Sequence, residues 1–463
     1  MIFNINPGSI EGLTPYEADA LQDLLTIWNN HEDKNAEKDR YYEGRISVGS
    51  VNLGIALPKG LSGLEIGCAW GSKCVDVLAA RSMFDGYVGM NGEAVDQLDD
   101  LVRNNRMIAE YMKACRDELK YGCTFATMSR DDRIGCKIRF HSPQTSAARW
   151  DGDLGRIAYG MAIIGAAPDN ETGLSWSPSV FHLHLDSELI VFRRIDNIWR
   201  FERHPHKMGR PLMEPLIWNA TSAKPFGRSR IKEPIRRLID GYVRTLADAT
   251  IGLEFATAPQ KYLLGVTDDQ YDTLVNDKFQ QYVGNILTAT TNPETGEKPT
   301  FGQLNQGNIN PHTEMLRNLA AQFAAQSGLP ISETGVVNDA NPTSAEAILA
   351  QTQTLVGMAE QLNTGNGDAL RTIALMALAI SNNTTMDELD DSQKDVIAHF
   401  KNPAMPSVAV TADAAIKIAS SRPAFAQTDT YLEMIGFDQA DIRRIKAQEQ
   451  LVRGRQTLQE LNI

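Results

Sequence analysis

The sequence predicts an α+β fold in which helical segments at both ends enclose a β-rich middle. Three observations carry this. The apolar residues of 14–40, and of most of the chain after about position 220, recur at the three- and four-residue spacing of an amphipathic helix. Between about 123 and 220, short runs rich in β-branched and aromatic residues alternate with turn clusters such as Pro168-Asp169-Asn170-Glu171-Thr172-Gly173. The chain has 463 residues, 42% hydrophobic and 22% charged, which suits two to four core-forming units.

The elements follow in order. Thr14-Pro15 reads as an N-cap with proline at the first helical position, and Leu21, Leu24, Leu25 and Trp28 form the apolar stripe of a helix over 14–40. Residues 45–62, rich in Gly and Pro, read as an extended connector. Helices are predicted over 70–84 and 97–121, and strands over 136–141, 156–165, 180–185, 188–193 and 197–204. Gly/Asn/Pro-rich breaks fall at 291–311, 328–343 and 363–367, and a polar helix over 439–461 ends the chain. There is no internal repeat and no low-complexity tract.

The net charge of −13 argues against a generally basic nucleic-acid binder, but not against a protein past which DNA slides without being gripped. Five cysteines, all between 68 and 136 and irregularly spaced, fit reduced thiols of a cytoplasm better than a disulfide framework. Met1–Pro7 lacks a basic n-region and an apolar h-region, and the apolar run at 373–380 is too short to span a bilayer, so a soluble chain with no membrane partner is expected.

Enzymatic readings are thinly supported. Leu64-Glu65-Ile66-Gly67-Cys68-Ala69-Trp70-Gly71 resembles the glycine loop of S-adenosylmethionine-dependent methyltransferases, and this stands as the alternative function. Against it, Ala69 replaces the central glycine, and 58–63 does not read as the buried parallel strand that must feed such a loop. His182, His184, His204 and His206 fall within 25 residues, and whether they hold a metal stays open. There is no Gly-x-Ser-x-Gly, His-Glu-x-x-His or phosphate-binding Gly-x-x-x-x-Gly-Lys motif. No catalytic residue, cofactor or metal ligand is assigned.

The most informative stretch is Pro225-Phe226-Gly227-Arg228-Ser229-Arg230-Ile231, a turn that opens into an amphipathic pattern through Ile235, Leu238, Ile239, Tyr242, Val243, Leu246, Ala249 and Leu253. A second pattern follows from Thr267 through Tyr271, Leu274, Val275, Phe279, Tyr282, Val283 and Ile286. With Tyr41-Tyr42-Glu43-Gly44, Trp70 ahead of 74–81, Tyr121-Gly122-Cys123-Thr124-Phe125, Ser142-Pro143, Gly328-Leu329-Pro330, Asn341-Pro342-Thr343-Ser344-Ala345-Glu346-Ala347, Asp413-Ala414 with Lys417, and Leu432 through Gly436-Phe437, the order of motifs resembles the portal proteins of tailed bacteriophages, the head-to-tail connectors of siphophage and actinobacteriophage type.

That resemblance implies a portal fold: a mixed α/β wing over 1–220, a first stem helix over 221–254, a clip over 255–266, a second stem helix over 267–290, a return to the wing over 291–328, a tunnel loop over 329–343, a long helix over 344–385 and a helical crown over 386–463. It implies a homo-oligomeric ring, usually of twelve subunits, at the capsid vertex of a virion assembled in the host cytoplasm. Double-stranded DNA would pass the channel without sequence specificity during packaging and ejection. Partners would be the terminase large subunit, major capsid and scaffolding proteins and a head-completion adaptor; another head–tail connector component is the second alternative. The channel residues it implies are Ile331, Ser332, Glu333, Thr334, Val336, Val337, Asn338, Asp339 and Asn341, a loop without Lys or Arg. The stem channel face would be Lys232, Arg236, Arg237 and Arg244, and Gly227, Arg228, Ser229 and Arg230 the structural turn.

Overall fold

The computed structural model describes residues 5–47, 65–89, 92–168, 176–196, 198–257, 261–264, 296, 298, 300–303, 308–335, 345–404, 408–437 and 439–460. The second stem helix expected at 267–290, channel residues Val336, Val337, Asn338, Asp339 and Asn341, and parts of the expected connector and clip lie outside them.

Helix α1 (Pro15–Glu43) starts with a capping box, in which the Thr14 hydroxyl accepts from Glu17 N–H and the Glu17 carboxylate from Thr14 N–H, and stops at Gly44 in the left-handed region, φ 69°. Its extra turn beyond the predicted end carries Tyr41 and Tyr42. Strands β1 (Arg45–Ser47) and β2 (Glu65–Gly67) form a small antiparallel ribbon that leads into α2 (Trp70–Ala79). The helix predicted through position 84 therefore ends early, and β3 (Phe84–Gly89) follows. The helix predicted over 97–121 is two, α3 (Gly92–Asn104) and α4 (Met107–Tyr121), separated where Arg106 adopts φ 53°. The buried Asn105 side chain holds the break: it donates to the carbonyls of Leu101 and Cys136 and accepts from Ile138 N–H.

Strands β4 (Cys123–Asp131) and β5 (Gly135–His141) form a hairpin flanked by β11 (Met213–Ile217), in the order β11-β4-β5. Strands β6 (Ser146–Asp151), β7 (Arg156–Pro168), β8 (Trp176–His184), β9 (Glu188–Ile195) and β10 (Ile198–Pro205) make an antiparallel meander. Leu21, Leu24, Leu25 and Trp28 of α1 pack on this meander against Phe181 and Phe192, whose rings stack at 4.4 Å. Burying four such side chains is worth on the order of 6–12 kcal/mol before entropy. Trp199 packs on Phe181, and Trp218 is buried in the main core.

Helix α5 (Glu233–Thr257) leads to β12 (Lys261–Leu264), which pairs antiparallel with β13 (Thr300–Gln303). Residues 300–303, expected in the return to the wing, are thus joined to the segment expected as clip. Helix α6 (Asn310–Ser327) then packs against α5, with Leu319 reaching Gly241. Helix α7 (Ala345–Ser381) runs without interruption through the break expected at 363–367. After a short helix α8 (Asp391–Lys394), β14 (Val396–Phe400), within the segment expected as crown, pairs antiparallel with β3. Helices α9 (Val408–Ser421), α10 (Asp429–Met434) and α11 (Gln439–Glu460) complete the chain. The main core joins α2, α4, α5, α6 and α7 with β3–β5 and β14.

Candidate functional site

The turn at 225–231 is built on two glycines. Gly227 has φ 68°, and a Cβ there would lie 2.1 Å from the Trp218 carbonyl oxygen and 2.8 Å from that of Gly122. Gly122, φ 112°, lies against the backbone of Arg228 and Ser229. The close approach lets Trp218 N–H donate to Gly122 O and Arg228 N–H to Trp218 O, which stitches the end of α4 to the entry of α5. The Ser229 hydroxyl donates to Lys120 O at 2.5 Å and accepts from Ile231 N–H.

Arg230 is the centre of the arrangement. Its side chain is buried, with Nε donating to Cys74 O and Nη2 to Ser327 O, both at 2.6 Å, and Nη1 reaching Met358 Sδ at 3.4 Å. Its guanidinium also lies over the Trp218 ring. Ser327 is the last residue of α6, so the cation sits at the negative end of a helix where carbonyls lack intrahelical partners. One side chain thereby couples the α5 entry to α2, α6 and α7. Cys74, beside it, keeps its thiol protonated because burial raises its pKa. Tyr41 and Tyr42 extend the coupling: their hydroxyls donate to Asp240 of α5 and Asp76 of α2.

The segment after α6 is anchored to the same core. Gly328, φ 69°, caps α6, and Ile331–Thr334 form a 3-10 turn. Trp70, 4% exposed, stacks on Phe323 of α6 at 4.7 Å and donates its indole N–H to Thr334 O. Glu333 pairs with Lys73 of α2 at 2.8 Å. Ile331, Ser332 and Glu333 keep some exposure, but Thr334 is buried with its hydroxyl on Ile331 O. Of the four expected channel residues that are described, Thr334 alone is buried.

The basic residues of α5 divide. Helical spacing of about 100° per residue puts Lys232 and Arg236 on one face and Arg237 and Arg244 on another. Lys232 and Arg236 face α1, where Arg236 pairs with Glu37 at 3.3 Å and lies over Tyr41. Arg237 pairs with Glu233 one turn back, and Arg244 is half-buried. These four are not one free cationic stripe.

Sequence reading missed the carbonyl partners of Arg230, the Trp70 and Lys73 clasp, and a polar cluster under α7. There Asn366 donates to Glu118 Oε2 at 2.8 Å and to Tyr111 OH at 2.9 Å, and Tyr111 meets Ser82. Full burial pushes the Glu118 carboxyl up to about 8. The signal for this cluster was Asn366 between Gly365 and Gly367 in a polar stretch directly before the apolar run 373–380.

The rival sites take other shapes. Among the described residues β2 pairs with β1 alone, antiparallel, and joins no parallel sheet. A Cβ on Gly71 would lie 2.1 Å from Tyr41 O, so this glycine serves the approach of α2 to α1. His184 is fully buried in the meander while His204 is exposed, and His182 and His184 rings stand 6.0 Å apart. Burial, before neighbouring charges, lowers His182 to about 4 and holds His184 well below the usual imidazole range. Among the described residues no three His, Cys, Asp or Glu side chains are grouped to hold a metal ion, and no helix is long and apolar enough to cross a membrane.

The described fold is a helical core joined to an antiparallel β meander, with buried Arg230 tying the entry of α5 to α2, α6 and α7. The chain belongs to the phage portal proteins of the SPP1 Gp6-like family, whose profile matches residues 24–452. No curated protein matches it. Similar solved structures include chains of the virion of a native gene transfer agent particle (12% identity, 84% of this chain and 89% of that chain, TM-score 0.46), of the neck of the native particle computed with C12 symmetry (13%, 80% and 89%, 0.44) and of the neck of the empty particle computed with C6 symmetry (14%, 85% and 98%, 0.45).

Proposed function

We propose that this portal protein closes into a ring, of twelve copies, at one vertex of a phage capsid. The axial channel passes double-stranded DNA during packaging, retention and ejection. Its role is structural rather than catalytic, and an ATPase docked on the ring supplies the work. Residues 336–341, with the exposed parts of Ile331, Ser332 and Glu333, line the channel; α5 and the segment beyond it form stem and clip, where terminase and then the head-completion adaptor dock.

The observation that carries this is the family match over 24–452. The physics of the loop agrees with it: a segment with Glu333 and Asp339 and no Lys or Arg releases no counterions and does not trap a moving polyanion. Thr334 and Glu333, at its near end, are clasped by Trp70 and Lys73.

Electron microscopy of the purified protein tests the proposal. Class averages with rotational symmetry and a central hole are expected. A compact species without a ring at every concentration tried, with and without scaffolding protein, would count against it.

A further inference from the structure

A cleft of about 800 Å³ lies between α1 and the turn that opens α5. Its half-exposed apolar lining includes Ile27, Pro143 and Phe226, and its cations are Lys34, Lys38, Lys224, Arg228, Lys232 and Arg236. In a chain of net charge −13 this is a local reversal of sign. The acids present do not balance it. Glu233, the one acidic residue of the lining, pairs with Arg237, and Glu37 takes only Arg236. Lys34, Lys224, Arg228 and Lys232 have no ion pair among the described residues. Lys38 donates to Asn35 Oδ1 and Tyr121 O, and burial, with Arg236 and Lys34 close by, lowers its pKa. The positive end of α5 lies at the same place: the first helical bond runs from Arg236 N–H to the carbonyl of Lys232, a residue whose side chain has no acceptor with which to cap the first turn.

The opposite character occurs beyond the far end of β4. Cys123 lines the cleft, and β4 runs from it to Asp131, about 26 Å away at the usual strand rise. There Arg130 donates to Asn383 at the end of α7, and the following turn exposes Asp387, Glu388, Asp390 and Asp391. The nearby cations leave them in excess: the Lys394 ammonium is committed to the Asp387 carbonyl, and Lys207 acts on Glu388.

We infer that the cleft receives the acidic turn 387–391 of a neighbouring copy, so that unlike ends of the β4–β5 hairpin meet around the ring. The inference rests on the ring reading above and adds which surfaces touch. A contact between two different surfaces of one chain is the kind that closes a cyclic oligomer, whereas a two-fold contact would pair like with like. Carboxylates on a short peptide turn enter a recessed site of this size and satisfy the lysines. Duplex DNA presents phosphates on a convex cylinder and would leave the apolar lining uncovered.

Charge exchange tests it on the full chain by mass photometry at physiological salt. Variant one is Lys34→Glu/Lys224→Glu/Lys232→Glu; variant two is Asp387→Lys/Asp391→Lys. Each alone should need at least tenfold more protein than the parent to half-assemble, with an unchanged thermal midpoint. In an equimolar mixture every contact can join opposite charges in alternation, so assembly should return. If either variant assembles as the parent does, or if both fail and the mixture does not recover, the inference is overturned while the ring reading stands. Binding of a 20-base-pair duplex to the parent that variant one abolishes would reassign the cleft to phosphate and also overturn it. A parent that forms no rings removes both readings.

Discussion

The guanidinium of Arg230 donates to the carbonyl of Ser327 across 2.6 Å, and this bond joins the turn before α5 to the end of α6. The two helices are separated by more than fifty residues in the chain, and the same side chain holds α2 through Cys74 O. The entry of the expected first stem helix and the end of the expected return to the wing therefore share one anchor. Among the described residues no carboxylate pairs with it; the carbonyls of Ser327 and Cys74 accept its hydrogen bonds instead.

Arg230→Ala removes this anchor. Two buried carbonyls lose their donors and a cavity opens beside Met358, so a loss of about 3–5 kcal/mol is expected from urea unfolding. Arg230→Lys should recover only part, because one ammonium does not span two carbonyls with a planar fork. Equal stability of Arg230→Ala and the parent would refute the anchoring role.

Gly227→Ala should prevent accumulation of folded protein, since its Cβ meets the Trp218 carbonyl oxygen at 2.1 Å. Gly209→Ala is the matched control. Gly209 has φ 62° but open space around it, so strain alone acts there and about 1 kcal/mol is expected. Soluble yield and thermal midpoints of the two variants separate clash from torsion.

Glu118 gives a pH dependence with a definite sign. Its folded pKa, about 8, lies above the unfolded value, so the native state holds a proton that the unfolded chain releases as pH rises. Stability is thus lost progressively from about pH 4.5 to about pH 8, and ionisation is suffered by the native state above that. Glu118→Gln should match the parent near pH 4 and exceed it at pH 8, its amide facing the otherwise unpartnered Oδ1 of Asn366. Urea midpoints of both proteins at the two pH values measure it; a constant difference would exclude Glu118 as the titrating group.

Deletion of 336–341 should leave ring assembly intact and block DNA packaging or retention, because the clasp of Thr334 by Trp70 and of Glu333 by Lys73 lies outside the deleted segment. Packaged DNA in particles carrying the deletion, protected from nuclease as in the parent, would show that the segment is not the channel loop.

The capping box at Thr14, the spacing of Leu21, Leu24, Leu25 and Trp28, the amphipathic run from Ile235 and the β-rich middle are local signals, and each was legible because helix and strand periodicity is written in neighbouring residues. The motif order carried the family, which the profile match over 24–452 shows. The glycine requirement of the 225–231 turn was visible in the sequence; the carbonyl that imposes it was not.

What lay beyond reading in sequence is long-range. The strand Phe84–Gly89, which follows the helix predicted over 70–84, takes its hydrogen bonds from Val396–Phe400, more than three hundred residues on. Asn105 breaks a helix because β5 needs its amide, and Asn366 with its glycines does not break one because Glu118 and Tyr111 receive it. Arg236 pairs with Glu37 of α1, and the Thr334 carbonyl accepts the Trp70 indole N–H. Local periodicity is set by torsions and the pattern of apolar side chains, whereas the partners of a buried polar group are set by which distant backbone the collapsed chain brings within about 3 Å.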